Sequence, residues 1–260
     1  MIRRIVLVAF IATACVCAQE EEAPAPVARS EPAKDAQKTA REQAPIDLTG
    51  YWTAVVTQDW RWRMVTPKKG DFPGIPLNAD GKKLANAWDP AADEAAGEQC
   101  KAYGAPGLMR LPTHLHITWQ DDNTLRIDTD AGAQTRLFHF PESKVGTGDP
   151  QWQGTSTAQW EFVRTKIPPH MPGPIRGGSL KVVTTHLRPG YLRKNGVPYS
   201  ANATMTEYFD VTTEPNGWQS ILVTTIIEDP QYLTQSMLLN TNFRKLPDAS
   251  GWNPTPCSAR

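Results

Sequence analysis

Strand-length segments of alternating polarity, punctuated by turn residues, constrain the fold of this chain more than any other feature. Within residues 111–140, Leu115, Ile117 and Trp119 alternate with His114, His116 and Thr118. A period of two marks a strand with one buried face. Asp121-Asp122-Asn123 turns the chain, residues 124–129 alternate again, Asp130-Ala131-Gly132 turns it once more, and residues 134–140 run back. This pattern predicts a meander of three strands. Further strand-like stretches lie at 151–163, 179–186, 203–209, 219–227 and 235–243. Residues 52–64 read as a strand pair or one long bent strand, with Trp60, Trp62 and Met64 on one face and Asp59, Arg61 and Arg63 on the other. The only good helix lies within 78–96, capped by Asn78 or Asp80, striped by Leu84, Ala87 and Trp88, and interrupted at Asp89-Pro90. About nine or ten strands at hairpin spacing, with no repeated βαβ unit, predict an all-β antiparallel sheet with one short helix.

The chain has 260 residues, 40% of them hydrophobic, which suffices for one sizeable core. Arg3-Arg4 followed by the apolar stretch 5–14 reads as an export signal, with Val16-Cys17-Ala18 as the cleavage site. Residues 1–18 are therefore expected to be a signal peptide, and the mature protein periplasmic or secreted. Ala12-Thr13-Ala14-Cys15 offers a lipobox-like alternative that would make Cys15 a lipid anchor. Residues 19–45, rich in Glu, Ala, Pro, Lys and Gln, lack the apolar surface to fold and are expected to form a disordered linker. Residues 46–260 are then a single domain. Without Arg3 and Arg4 the charge balance is 25 basic to 27 acidic residues, which predicts no nucleic-acid partner. Beyond the leader only Cys100 and Cys257 remain, an even pair that in an exported chain predicts one disulfide.

Asp47-Leu48-Thr49-Gly50-Tyr51-Trp52 heads the first strand-like segment. A Gly-x-Trp in this place resembles the opening of lipocalin-type barrels. The resemblance implies a Trp plugging the barrel floor under a late-strand Arg, for which Arg244 is the candidate. Trp160-Glu161, residues 180–184, Gly196-Val197-Pro198-Tyr199-Ser200, Thr206-Glu207-Tyr208 and Asp229-Pro230-Gln231-Tyr232-Leu233-Thr234 follow in order. Over roughly residues 46–245 this order resembles a group of exported bacterial proteins of mostly undescribed function, itself lipocalin-like (calycin-type). Tyr199 stands where the group's pattern has His, and Tyr208 where it has Arg. The implied fold is a closed or nearly closed lipocalin-like β-barrel.

Glu207 is the leading candidate for chemistry. On a strand, Met205 and Glu207 face away from Thr206 and Tyr208, so Glu207 faces either the lumen or solvent. A lumen-facing carboxyl would be desolvated into the acid–base range; the competing reading is a structural pair with an Arg across strands. Asp229 and His186 are its companions as acid and base, although Asp229 before Pro230 also reads as a turn initiator. Arg188, Tyr191, Tyr199 and Tyr232, with Trp60, Trp62 and Glu161, are candidate ligand-binding residues at a cup mouth. His114, His116 and His139 have the residue types of a zinc site, but a solvated polar face is the stronger reading, because Arg126 would repel a cation there. The chain has no Gly-x-Ser-x-Gly, no phosphate-cradling Gly loop, no His-Glu-x-x-His and, beyond the leader, no Cys-x-x-Cys. The expected function is binding of a small apolar or aromatic molecule without a cofactor. The alternative is a cofactor-independent lyase, isomerase or cyclase using Glu207 with Asp229 or His186.

Overall fold

Nine strands close into a barrel in the computed structural model, in the spatial order β1-β11-β10-β9-β6-β5-β4-β3-β2. The structure describes residues 38–57, 59–141, 148–162 and 177–260. The expected signal peptide, most of the expected linker and the Pro-rich stretch 167–174 lie outside them. The barrel strands are β1 (Gly50–Val55), β2 (His114–Asp121), β3 (Thr124–Thr129), β4 (Gln134–His139), β5 (Thr155–Phe162), β6 (Gly178–Thr185), β9 (Thr204–Thr213), β10 (Gln219–Glu228) and β11 (Met237–Leu246). A separate hairpin, β7 (Gly190–Arg193) and β8 (Val197–Tyr199), is inserted between β6 and β9. The all-β, lipocalin-like architecture agrees with the sequence pattern. One seam departs from it: β4 and β5 pair in parallel, through Phe138–Ser156 and His139–Thr157 only.

The first strand is shorter than its polarity pattern suggests. β1 ends at Val55, and Trp60–Arg63 forms a one-turn helix, α2. Trp60 and Met64 of the supposed apolar face meet water, at 64% and 56% exposure, while Arg63 of the opposite face is buried. Alternation misleads here because Asp59 adopts a left-handed conformation (φ 55°), which turns the chain out of the sheet.

The helix expected over 78–96 is two helices. Asn78 caps α3 (Ala79–Ala87) by accepting from Gly81 N at 2.9 Å. Asp89 caps α4 (Pro90–Ala95), with Pro90 at the first helical position. Two further single turns, α1 (Ala40–Gln43) and α5 (Ala105–Leu108), bring the count above the one short helix expected. α1 also moves the folded boundary upstream of Ile46. Ala40 is buried, its N–H donates to Asn123 Oδ1 at 2.8 Å, and its carbonyl accepts from Trp160 Nε1 at 2.7 Å.

Three apolar clusters pack among the described residues, two large ones and a small one of Ala102, Tyr103 and Leu108 beside the disulfide. The first occupies the lower barrel and includes Trp52, Phe138, Leu180, Phe209 and Phe243. Trp52 is fully buried and donates to the Leu48 carbonyl at 2.9 Å. The cation over its ring is Lys245, its register partner on β11, at 5.2 Å. Arg244, expected in that role, points outward and stacks on Trp218 at 4.7 Å. The reason is strand parity: Phe243 and Lys245 face inward, so Arg244 cannot. The second cluster lies over the other end of the barrel, where Leu187, Leu192, Val197 and Tyr199 pack on Met205, Ile227 and Met237. That end carries a packed cap.

Cys100 and Cys257 form the expected disulfide, 157 residues apart in sequence. It staples the C-terminal segment to the 3-10 turn Lys101–Tyr103, beside an isolated bridge between Ala131 and Thr255. Because it closes so long a loop, Cys257→Ser is expected to lower stability by about 2–5 kcal/mol, read as a reduced denaturation midpoint. An unchanged midpoint would count against this role.

Candidate functional site

Between the two large apolar clusters lies a layer of polar side chains. Inward positions on β4, β5, β6, β9, β10 and β11 place Arg136, Ser156, Thr184, Glu207, Thr225 and Thr241 there, all buried. Along β9 the sequence of inward residues is Met205, Glu207, Phe209, and along β11 it is Met237, Leu239, Thr241, Phe243. Glu207 does face the lumen. Its carboxylate accepts from Arg136 through both oxygens, from Nη1 at 3.1 Å and from Nη2, with both side chains at 0% exposure. Nη2 also approaches Thr184 Oγ1 at 3.5 Å, and Thr184 and Ser156 share a hydrogen bond of 2.8 Å. The Arg136 guanidinium stacks on Phe138 at 4.8 Å. A bidentate guanidinium–carboxylate pair of this kind fixes geometry strongly.

The three proposed acid–base residues do not meet. Asp229 follows the end of β10, roughly 13 Å along the strand from Thr225, the register partner of Glu207. There it accepts from Ser200 N at 2.7 Å, Ser200 Oγ at 2.7 Å and Gln231 N at 3.0 Å. This is a structural clamp holding the turn after β8 to the turn after β10. His186 is exposed, in a left-handed conformation (φ 53°), with Nδ1 against its neighbour Thr185 Oγ1 at 3.0 Å. Glu207 is thus a partner of Arg136, Asp229 an anchor and His186 a surface turn residue.

The three strand histidines are likewise apart. His114 Nδ1 contacts Asp130 Oδ2 at 2.6 Å, and His116 stacks on Tyr51 at 4.2 Å. His139 pairs with Thr124 at the far end of the meander, whereas His116 pairs with Asp128, itself opposite Thr135. Arg126 lies on the same outer face as His116, held by Asp128 at 2.8 and 2.9 Å. Among the described residues no group of three or more His, Cys, Asp or Glu side chains converges as a metal site.

The ligand-binding candidates divide by place. Glu161 lies on the outer face of β5, 3.7 Å from Lys181, because Trp160 takes the inward position against Trp119 and Phe140. Trp60 is on the exposed side of α2, and Trp62 lies between the guanidiniums of Arg61 and Arg193, at 5.3 and 5.4 Å. Arg188 stacks on Trp152 at 4.5 Å and pairs with Glu98. Tyr191, Tyr199 and Tyr232 do converge: they line one cleft of about 340 Å³ in the cap, with Leu84 and Trp88 of the α3 side and Asp93 of α4.

Local chemistry explains why this cleft exists. Asn78 N donates to the Tyr232 carbonyl at 2.9 Å and Asn78 Nδ2 to the Gln231 carbonyl at 2.8 Å, which docks α3 on the turn after β10. Gly81 permits that approach, since a Cβ there would lie 2.8 Å from the Tyr232 carbonyl oxygen. Asp93 reaches across to the hairpin, accepting from Tyr191 OH at 2.8 Å and Lys101 Nζ at 2.7 Å. Burial, reinforced by Asp93, pushes the Tyr191 phenol well above its ordinary value, and burial does the same to Tyr199. Both tyrosines therefore stay neutral across the physiological range. The sequence reading missed Asp93 and Lys101 as cleft residues, and Arg136 as the partner of Glu207. Arg136 had a signal: it shares strand parity with Phe138, so it faces the core.

Two consequences are measurable. Breaking a buried ion pair strands a charge, so Glu207→Gln is expected to cost about 3–5 kcal/mol in denaturant unfolding. The Arg136→Met/Glu207→Leu pair should lose far less than the sum of its single changes. Additive losses would contradict the coupling. Separately, burial alone would raise the Asp130 carboxyl, but bonds from the His114 backbone and ring and from Thr113 outweigh it and hold the carboxyl below the ordinary carboxylate value. A carboxyl depressed in the folded state contributes stability above its unfolded value of about 3.9, lost as pH falls through the lower folded value. Asp130→Asn should therefore flatten the acid limb of the stability–pH curve below about pH 4; an unchanged limb would refute this assignment. No protein-family model, curated protein or solved structure matches this chain.

Proposed function

We propose that this protein binds a small aromatic or apolar molecule, and that the ligand sits in the cap cleft. The observation that carries the reading is the convergence of Trp88, Tyr191, Tyr199 and Tyr232 on one concavity of about 340 Å³. That volume lies at the small end of ligand pockets, which are mostly apolar with a few placed polar groups. Aromatic side chains provide large contact area with little entropy to lose. Leu84, 44% exposed, adds apolar surface at the edge. The Lys101 ammonium, held by Asp93 and partly exposed, has donors left for an acceptor oxygen on the ligand.

Export to the periplasm or the exterior belongs to the same proposal. It is supported by the leader pattern of residues 1–18, with Cys15 as an alternative lipid attachment point, and is compatible with the Cys100–Cys257 disulfide. Membership in the exported calycin-like group is proposed on the motif order alone. The motif residues Gly196, Tyr199, Ser200, Asp229 and Tyr232 gather in the cap, and a Cβ on Gly196 would lie 2.2 Å from the Trp88 side chain.

Thermal-shift screening with aromatic and terpenoid compounds tests the function. At least one compound is expected to give a saturable shift, with affinity weakened about tenfold or more by Leu84→Asp or Tyr232→Ala, a loss of roughly 1.4 kcal/mol. Glu207→Gln should start from a lower midpoint yet keep the ligand-induced shift. Absence of any shift across the panel would sink the binding reading, and a shift indifferent to both cleft variants would move the site elsewhere.

A further inference from the structure

A narrow recess of about 30 Å³, with no lining residue in common with the aromatic cleft, opens between α2 and β7. Arg63, Arg110, Arg193 and Lys194 line it, together with the apolar side chains of Trp62 and Val65. No acidic side chain lines it among the described residues. Each cation is held from behind. Arg63 donates Nε to the Arg110 carbonyl at 2.8 Å and Nη1 to the Val55 carbonyl at 3.5 Å. Arg110 donates Nη2 to Asp59 at 2.6 Å and Nη1 to the Asn240 carbonyl at 3.4 Å, Arg193 donates Nη1 to the Pro73 carbonyl at 3.4 Å, and Lys194 donates to the backbone oxygen of Arg260.

The remaining donors are in excess. Arg63 is 7% exposed, yet its Nη2 has no hydrogen-bond partner among the described residues. A buried guanidinium donor without an acceptor is costly, and bringing several cations together around one recess adds to that cost. The strain registers on the groups themselves: burial first, then the Arg110 charge, bring Arg63 down to about 10 and lower Arg193. Asp59 offsets this only in part, since it is half spent on Arg110, and Asp71 is paired with Arg61. The arrangement lacks one negative charge with acceptor oxygens facing these three arginines.

We propose that the recess binds the oxyanion group, carboxylate or phosphate, of a small amphiphilic molecule, clamped by Arg63, Arg110 and Arg193. Planar guanidinium forks match the paired oxygens of such groups better than they match a spherical halide. The recess has room for the head group alone, so the remainder of the ligand lies outside it. Val65 (68% exposed), Met64 and Trp60 stand there as exposed apolar surface. A free anion and an anionic lipid headgroup present the same chemistry to the arginines.

The test uses the purified full chain. Inorganic phosphate and octanoate are titrated by calorimetry at constant ionic strength set with chloride, on wild type and on Arg193→Ala and Arg63→Lys. Saturable binding of at least one probe is expected, weakened about tenfold to a hundredfold by Arg193→Ala, the range for bonds to charged groups. Arg193 is partly exposed, so its replacement leaves the fold intact even where changes at the buried Arg63 do not. Vesicles of phosphatidylcholine with and without phosphatidylglycerol separate the sources. Binding to anionic vesicles that phosphate competes away supports a headgroup in the recess, and binding of soluble probes alone supports a free anion. The proposal is overturned if neither soluble probe binds above the chloride background, or if Arg193→Ala and Arg63→Lys both bind as the wild type does.

Discussion

The buried pair of Arg136 and Glu207 is the constraint on which the rest of the barrel depends. Two charges at 0% exposure are tolerable only when each neutralises the other with good geometry. That requirement holds β4 and β9 at one relative height, although β5 and β6 separate them in the sheet. Ser156 and Thr184, on those intervening strands, join the same layer by hydrogen bonds. Hydrophobic residues alone would allow many registers of an alternating strand; a buried ion pair penalises all but one. The seam between β4 and β5 has only two paired residues on each side, so this side-chain layer carries much of the closure there.

Above that layer the molecule changes character. The barrel end is covered by the hairpin β7–β8, α3 and the turn after β10, with Asp229 and Ser200 tying the hairpin to that turn and Asn78 tying α3 to it. Residues that the motif order singles out therefore act mainly as architecture. Asp229 clamps and Gly196 admits the Trp88 side chain. Two concavities border the hairpin, one aromatic and one cationic. A rigid barrel presenting binding surfaces on its connections is a common division of labour, because the loops vary without disturbing the sheet.

How much of this was legible depended on the range of each interaction. The meander of 114–139 could be read residue by residue, because alternation and turn chemistry are local. So could the cap at Asn78, the break at Asp89-Pro90, and the pairing of the only two cysteines beyond the leader. Residues 59–64 misled, since alternation there belongs to a turn that a single left-handed residue starts. Arg244 misled for a related reason: the floor needs a cation of inward parity, and a shift of one residue gave that place to Lys245. The acid–base trio failed because proximity of Glu207, Asp229 and His186 was inferred from order along the chain. Register places Glu207 and Asp229 roughly 13 Å apart along the strand direction.

By itself the sequence determined an all-β chain, the parity of its meander strands, its disulfide and the cap of its longest helix, because periodicity, capping and cysteine count are properties of neighbouring residues. Only the tertiary structure decided that Glu207 is a structural partner of Arg136, that three tyrosines from separate segments share a cleft, and that three arginines face one recess. Those facts are distances between residues remote in sequence, and the closing of the barrel and the docking of its cap set them.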